Sequence, residues 1–160
     1  MLNRAVFGIF VSLKDMADSS AVRLVVFLVG DLTCAAPVEA VREIVSAEPA
    51  TRIPGAADSV QGLVNVRGLL LTVVDGRRLL EREGPGSGGG SVMVMEEGGG
   101  RVGLLVDRVQ DLIELPADAL EGRQALPGLD GRLVRAVGRH DGQLFVLLDT
   151  EALLAPVLVK

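Results

Sequence analysis

One guanidinium stands out among the groups that could do chemistry. Arg67 lies in Asn65-Val-Arg-Gly68, between two short apolar runs, Leu63 to Val66 and Leu69 to Val74. The runs are short and largely β-branched or leucine, so they predict strands. Gly68 marks a bend or bulge, where positive φ or a close backbone approach is needed. Arg is costly to place beside so much apolar chain unless it meets a partner or water. Two readings stay open on the pattern alone. Arg67 is an ordinary surface residue beside a bulge, or a docking residue held on a stiff scaffold.

The other reactive groups do not assemble. His140 is the one histidine and Cys34 the one cysteine, so a site of several His and Cys ligands is excluded. His140 falls in a predicted hairpin turn, where histidine is usually polar and exposed. Cys34 follows a strand and precedes two alanines, the setting of an inert buried thiol. Glu96-Glu97 sits at a loop edge. Asp107 and Asp111 flank what reads as a strand break. Gly84, Gly86 and Gly89 match G-x-G-x-x-G, but a charged run precedes them and a strand follows. A dinucleotide loop needs a strand before it and a helix opening within it. No phosphate-cradling G-x-x-x-x-G-K-[ST] loop exists. No acid, base and pocket come together, so no catalytic residue and no cofactor is expected.

Composition bounds the rest. The chain has 160 residues, 49% of them hydrophobic and 23% charged, with a formal net charge of -5. A chain of this length buries roughly 70% of its unfolded surface without a disulfide or metal. The single cysteine fits a reducing compartment. A nucleic-acid-binding small β-barrel is the runner-up reading. Acidity and the absence of Trp and Tyr count against it, because phosphates call for a basic footprint and bases for stacking platforms. No apolar run is long enough for a membrane span. Met1 to Leu13 faintly imitates a signal peptide, with one basic residue and no clear cleavage site. Residues 1–20 are read as a tail or extra strand.

The elements that must position Arg67 follow from the same patterns. Strands are expected at Val22–Val29, Leu32–Ala36, Arg42–Val45, Val92–Met95, Arg101–Val106, Leu112–Leu115, Leu133–Val137 and Gln143–Leu148, besides the two around Arg67. Pro37 to Val41 reads as one helical turn. Asp75 and Asp149 read as N-caps of short helices. Residues 84–91 read as a flexible Gly-rich loop. Many short strands with brief helices suit small barrels. The apolar runs are often continuous, which predicts strands buried on both faces and two lobes packed together.

Gly103-Leu-Leu-Val-Asp-Arg-Val109 joins Asn65-Val-Arg-Gly68 and Val73-Val-Asp75 in a set that resembles the CheW family, the coupling proteins of bacterial chemotaxis. Pro37 to Ile44, Thr51-Arg-Ile-Pro54 and Gly138 to Leu154 match in the same order. The resemblance runs from about Val22 to Leu154. Thr72 and Gly76 depart from it, standing where the family commonly has Pro and Leu. Cys34-Ala-Ala36 replaces a usual aromatic-Gly start.

The resemblance implies a mainly β fold: two small five-stranded SH3-like barrels packed together, with a few short helices, as a CheW-like domain over residues 21–155. It implies a non-enzymatic adaptor, cytoplasmic and at receptor arrays, without membrane insertion or nucleic acid. The implied partners are the cytoplasmic tip of methyl-accepting chemoreceptors and the regulatory domain of a CheA-type histidine kinase. It implies partner-binding roles for Val41, Glu43, Ile44, Gly62, Asn65, Arg67, Gly68 and Val92. Glu43 matches an acid that can pair with Arg67.

Overall fold

The computed structural model describes residues 21–82, 90–122 and 126–157. The tail expected at 1–20 and residues 84–89 of the expected Gly-rich loop lie outside the described residues. Ser91, read as the end of that loop, belongs instead to a sheet, and Gly90 leads into it. Ser91 opens a strand, and the Gly90 carbonyl accepts from the Ala47 N–H.

Among the described residues there are two sheets. The central part of the chain forms one lobe: β3 (Val41–Ser46), β4 (Val60–Val66), β5 (Leu69–Asp75), β6 (Ser91–Glu97) and β7 (Gly100–Val106), in the order β3-β6-β7-β5-β4. The two ends of the chain form the other. Its strands are β1 (Ala21–Val29), β2 (Leu32–Pro37), β8 (Arg108–Pro116), β9 (Glu121–Gly122), β10 (Val134–His140) and β11 (Gln143–Leu148), in the order β8-β1-β2-β11-β10-β9. The two lobes are the expected SH3-like units. The outer lobe carries a sixth strand, the two-residue β9, which no local pattern marks. Its pairing with β10 comes from the path of the chain after β8.

Each lobe curls because the chain leaving its first strand returns to the opposite edge. In the central lobe Thr51 exchanges both backbone hydrogen bonds with Leu63 of β4. Such closure removes an exposed edge. Short helices follow the β5 and β11 strands: α1 (Gly76–Leu79) and α2 (Thr150–Leu154). Asp75 caps the first by accepting from the Arg77 N–H at 3.0 Å, and Asp149 caps the second through Ala152 N–H at 3.0 Å. Pro37 leads into a single 3-10 turn, Val38–Ala40, that carries the chain from one lobe to the other.

Strand faces divide the apolar residues into three cores. On β1, Leu24 and Val26 point into the outer lobe, while Val25, Phe27 and Val29 join a core shared by both lobes. On β6, Val92 lies with Val64 and Val73 in the central lobe, and Met93 and Met95 join the shared core. This is why those runs are continuous rather than alternating. Burying one such side chain contributes about 1.5–3 kcal/mol, so the shared core fastens the lobes to each other.

The return crossing, between β7 and β8, is pinned by Asp107. Its N–H bonds the Leu28 carbonyl, and its carboxylate takes the Gly30 N–H and two donors of the Arg77 guanidinium. That clamp ties α1 of the central lobe to the β1–β2 turn of the outer one. The bond to Asp107 raises the Arg77 proton affinity above its ordinary value. A forked, charge-assisted pair is stronger than a neutral bond. Asp107→Ala removes it and leaves a half-buried guanidinium, so a loss of roughly 2–3 kcal/mol is expected in denaturant unfolding. Asp107 stands at the break between β7 and β8, as expected, while Asp111 lies inside β8, one residue past a bulge at Gln110.

Candidate functional site

Arg67 and Gly68 form the two-residue tip of the β4–β5 hairpin. Both have positive φ, 53° and 86°, as a type I′ turn requires. Gly adopts this freely and Arg does so against its preference. The Asn65 carboxamide accepts from the Gly68 N–H at 2.8 Å and steadies the turn. Asn65 thus acts by shaping the tip that presents Arg67.

Glu43 approaches from the other edge of the sheet. Arg42 is bulged out of the β3–β6 pairing, since Val41 pairs with Met95 and Glu43 with Val94. The bulge sets the phase of β3 beyond it. The Arg67 Nε donates to Glu43 Oε1 at 2.8 Å. The pair bridges β3 and the β4–β5 tip, which stand at opposite ends of the strand order. The Arg67 side chain is 77% exposed and that of Glu43 33%. An ion pair this open is screened by water and contributes little to folding.

Exposed apolar residues adjoin both partners in sequence. Among the described residues the large hydrophobics left exposed are Ile44, Leu69, Leu70 and Leu144. Leu69 and Leu70 follow the tip directly and are 59% and 70% exposed; Ile44 adjoins Glu43. Neither leucine was marked as a candidate by sequence. They belong to a continuous apolar run that reads as buried, and only the hairpin's projection beyond the core leaves them in water. A groove of about 610 Å³ runs past Val41 and Glu43 and is rimmed by Arg42, Glu96 and Arg101. Glu96 pairs with both arginines, at 3.5 and 3.4 Å. Val41 is half-buried and packs at the margin of the shared core.

Two expected contact residues sit elsewhere. Val92 is 1% exposed, inside the central lobe between Val64 and Val73. Gly62 is buried, with φ 144°, and a side chain there would overlap the Thr51 carbonyl that closes the lobe. Both positions are buried in the central lobe and are not exposed at the Glu43–Arg67 tip. Of the eight candidates, hydrogen bonds join Glu43, Asn65, Arg67 and Gly68 at one tip, with Ile44 next to Glu43 along β3 and Val41 on the adjoining groove.

The remaining reactive groups are placed by packing. Burial pushes the Cys34 thiol well above its ordinary range. His140 ends a strand rather than occupying a turn, and its Nε2 lies 3.3 Å from Asp111 Oδ2 on β8. The turn itself is Asp141-Gly142. Among the described residues no cluster of three His, Cys, Asp or Glu could hold a metal ion, and no helix is long and apolar enough to cross a membrane.

The CheW-like domain family matches residues 23–157, which is most of the chain and both lobes. The chain belongs to the CheW-like domain family. A probable chemotaxis protein CheW of Rhizobium etli is 27% identical over 134 residues, covering 82% of this chain and 86% of that protein. The chemotaxis protein CheW of Klebsiella aerogenes is 24% identical over 144 residues, covering 89% and 87%. The crystal structure of the scaffolding protein TtCheW from Thermoanaerobacter tengcongensis superposes with a TM-score of 0.74 at 22% identity, over 80% of this chain and 88% of that one. The shared fold includes both CheW-like lobes, so the Glu43–Arg67 tip is borne on the family's scaffold.

Proposed function

We propose that this chain is a non-enzymatic adaptor of chemosensory signalling, coupling the cytoplasmic tip of methyl-accepting chemoreceptors to the regulatory domain of a CheA-type histidine kinase. The family match across both lobes carries this reading. The relatives are named as chemotaxis proteins, and the solved neighbour as a scaffolding protein. The tip fits such work: one exposed arginine, an acid to orient it, and flanking leucines. Interfaces concentrate affinity in a few anchors of this kind, arginine among them. The working location is the cytoplasmic side of receptor arrays.

The test is co-purification of the chain with a receptor tip fragment and with a kinase regulatory domain. Both are expected to be retained, singly and together. Retention of neither removes the adaptor reading. A salt titration of DNA or RNA binding serves as the control, since a steep fall of affinity with salt would point to the nucleic-acid reading instead.

A further inference from the structure

After α2 the chain comes up against the central lobe. The Val157 N–H bonds the Leu154 carbonyl at 3.0 Å, which turns the chain off the end of that helix. Val157 then packs at the margin of the shared core. There it borders a groove of about 410 Å³. One wall is Ile53, Ala56 and Ala57, from the segment that joins Thr51 to β4. A second is Arg101 at the β6–β7 tip. The third is Pro156 and Val157 themselves, so both lobes contribute to the groove.

The first wall is stiff. The Ala56 N–H bonds the Ile53 carbonyl at 3.2 Å, and the Val60 N–H bonds the Ala57 carbonyl at 3.0 Å, giving two successive tight turns. Just before them, Thr51 closes the lobe on Leu63. Ala56 and Ala57 are exposed all the same.

The sequence continues from Val157 as Leu158-Val159-Lys160. At about 3.3 Å per residue, Leu158 and Val159 stay within roughly 7 Å of a residue that already lines the groove. Both are apolar, as is most of the first wall. Their burial there removes apolar surface from water and orders little further chain, because Val157 is already fixed. A tethered segment also holds a high effective concentration over any free partner.

From this placement we infer that Leu158 and Val159 seat in the groove and strap the outer lobe to the closing segment of the central one. The strap and the Asp107 clamp then fasten the lobes near opposite ends of β7, which opens at Gly100 and runs to Val106. Arg101 also rims the groove past Val41 and Glu43, where it pairs with Glu96. It is the wall between the two grooves, and the seated segment braces it. The inference stands apart from the adaptor reading.

The experiment uses the purified full chain with Ile, Leu, Val and Ala methyls labelled for NMR. Nuclear Overhauser cross-peaks are expected from Leu158 or Val159 to Ile53, Ala56 or Ala57. Absence of every such peak overturns the inference. So do peaks seen only between differently labelled copies, which would seat one chain's segment on another. Leu158→Asp with Val159→Asp is expected to lower the melting temperature by roughly 2–4 °C. It should also speed amide exchange at Ala56 and Val60 several-fold. Ala57→Asp puts a charge into the groove from the opposite wall, and it should erase the cross-peaks with a similar loss. The three substitutions together should cost little more than either set alone, because both remove the same contact. Losses that add in full, or unchanged exchange at Ala56 and Val60, overturn the strap.

Discussion

Arg67→Ala is expected to melt within a few degrees of the unaltered chain and yet to lose most binding to receptor and kinase fragments. The Glu43–Arg67 bond is 2.8 Å long but open to water, so it contributes only about 0–1 kcal/mol to folding. Docking changes the balance by removing that water. Truncating one partner of a desolvated, hydrogen-bonded charge pair costs roughly 2–5 kcal/mol of affinity. Arg67→Glu should bind worse still, because it sets like charges at the distance now spanned by the bond. The swap of Glu43→Arg with Arg67→Glu should recover the intramolecular attraction without recovering docking, since the partner reads the position of the charge. Thermal melts beside pull-downs of all four proteins separate the two roles. A large drop in melting temperature for Arg67→Ala would make it a strut of the fold. Unchanged pull-down in every variant would take Arg67 out of the interface.

Gly62→Ala is expected to act in the opposite way, lowering stability first and binding only as a consequence. The residue has φ 144°, a region that side chains avoid, and a Cβ would overlap the Thr51 carbonyl. That carbonyl accepts from the Leu63 N–H at 2.8 Å and holds the central lobe closed. Backbone strain of this kind costs about 1–3 kcal/mol, and displacing Thr51 adds to it. A total near 3 kcal/mol corresponds to a fall of roughly 6–12 °C in melting temperature for a chain of this size. Hydrogen exchange should show the loss concentrated at Leu63 and Thr51. At a temperature where the variant is still folded, affinity for either partner should remain within a few-fold of normal. A variant that melts normally but does not bind would return Gly62 to the docking surface. Val92→Ala belongs to the same class, since it opens a cavity beneath the sheet and leaves the tip's charges in place.

The contrast between Arg67 and Gly62 marks the border of what the sequence determined. The strands around Arg67, the Pro37 turn and both aspartate caps follow from local rules of period, φ and hydrogen bonding, and they stand where those rules put them. Continuous apolar runs on β1 and β6 announced two buried faces, and hence two lobes, before any contact was known. Local rules cannot say which distant segment meets a strand edge. So β9 and its pairing with β10, the closure of Thr51 on Leu63, and the position of His140 against Asp111 were settled only by tertiary structure. The same holds for exposure. Leu69 and Leu70 carry the sequence signature of a core strand, and Val92 is no different from them by composition. Projection of one hairpin beyond the packed lobes puts the leucines in water, while sheet pairing seals Val92 inside, because burial belongs to the three-dimensional path of the chain and not to the residue.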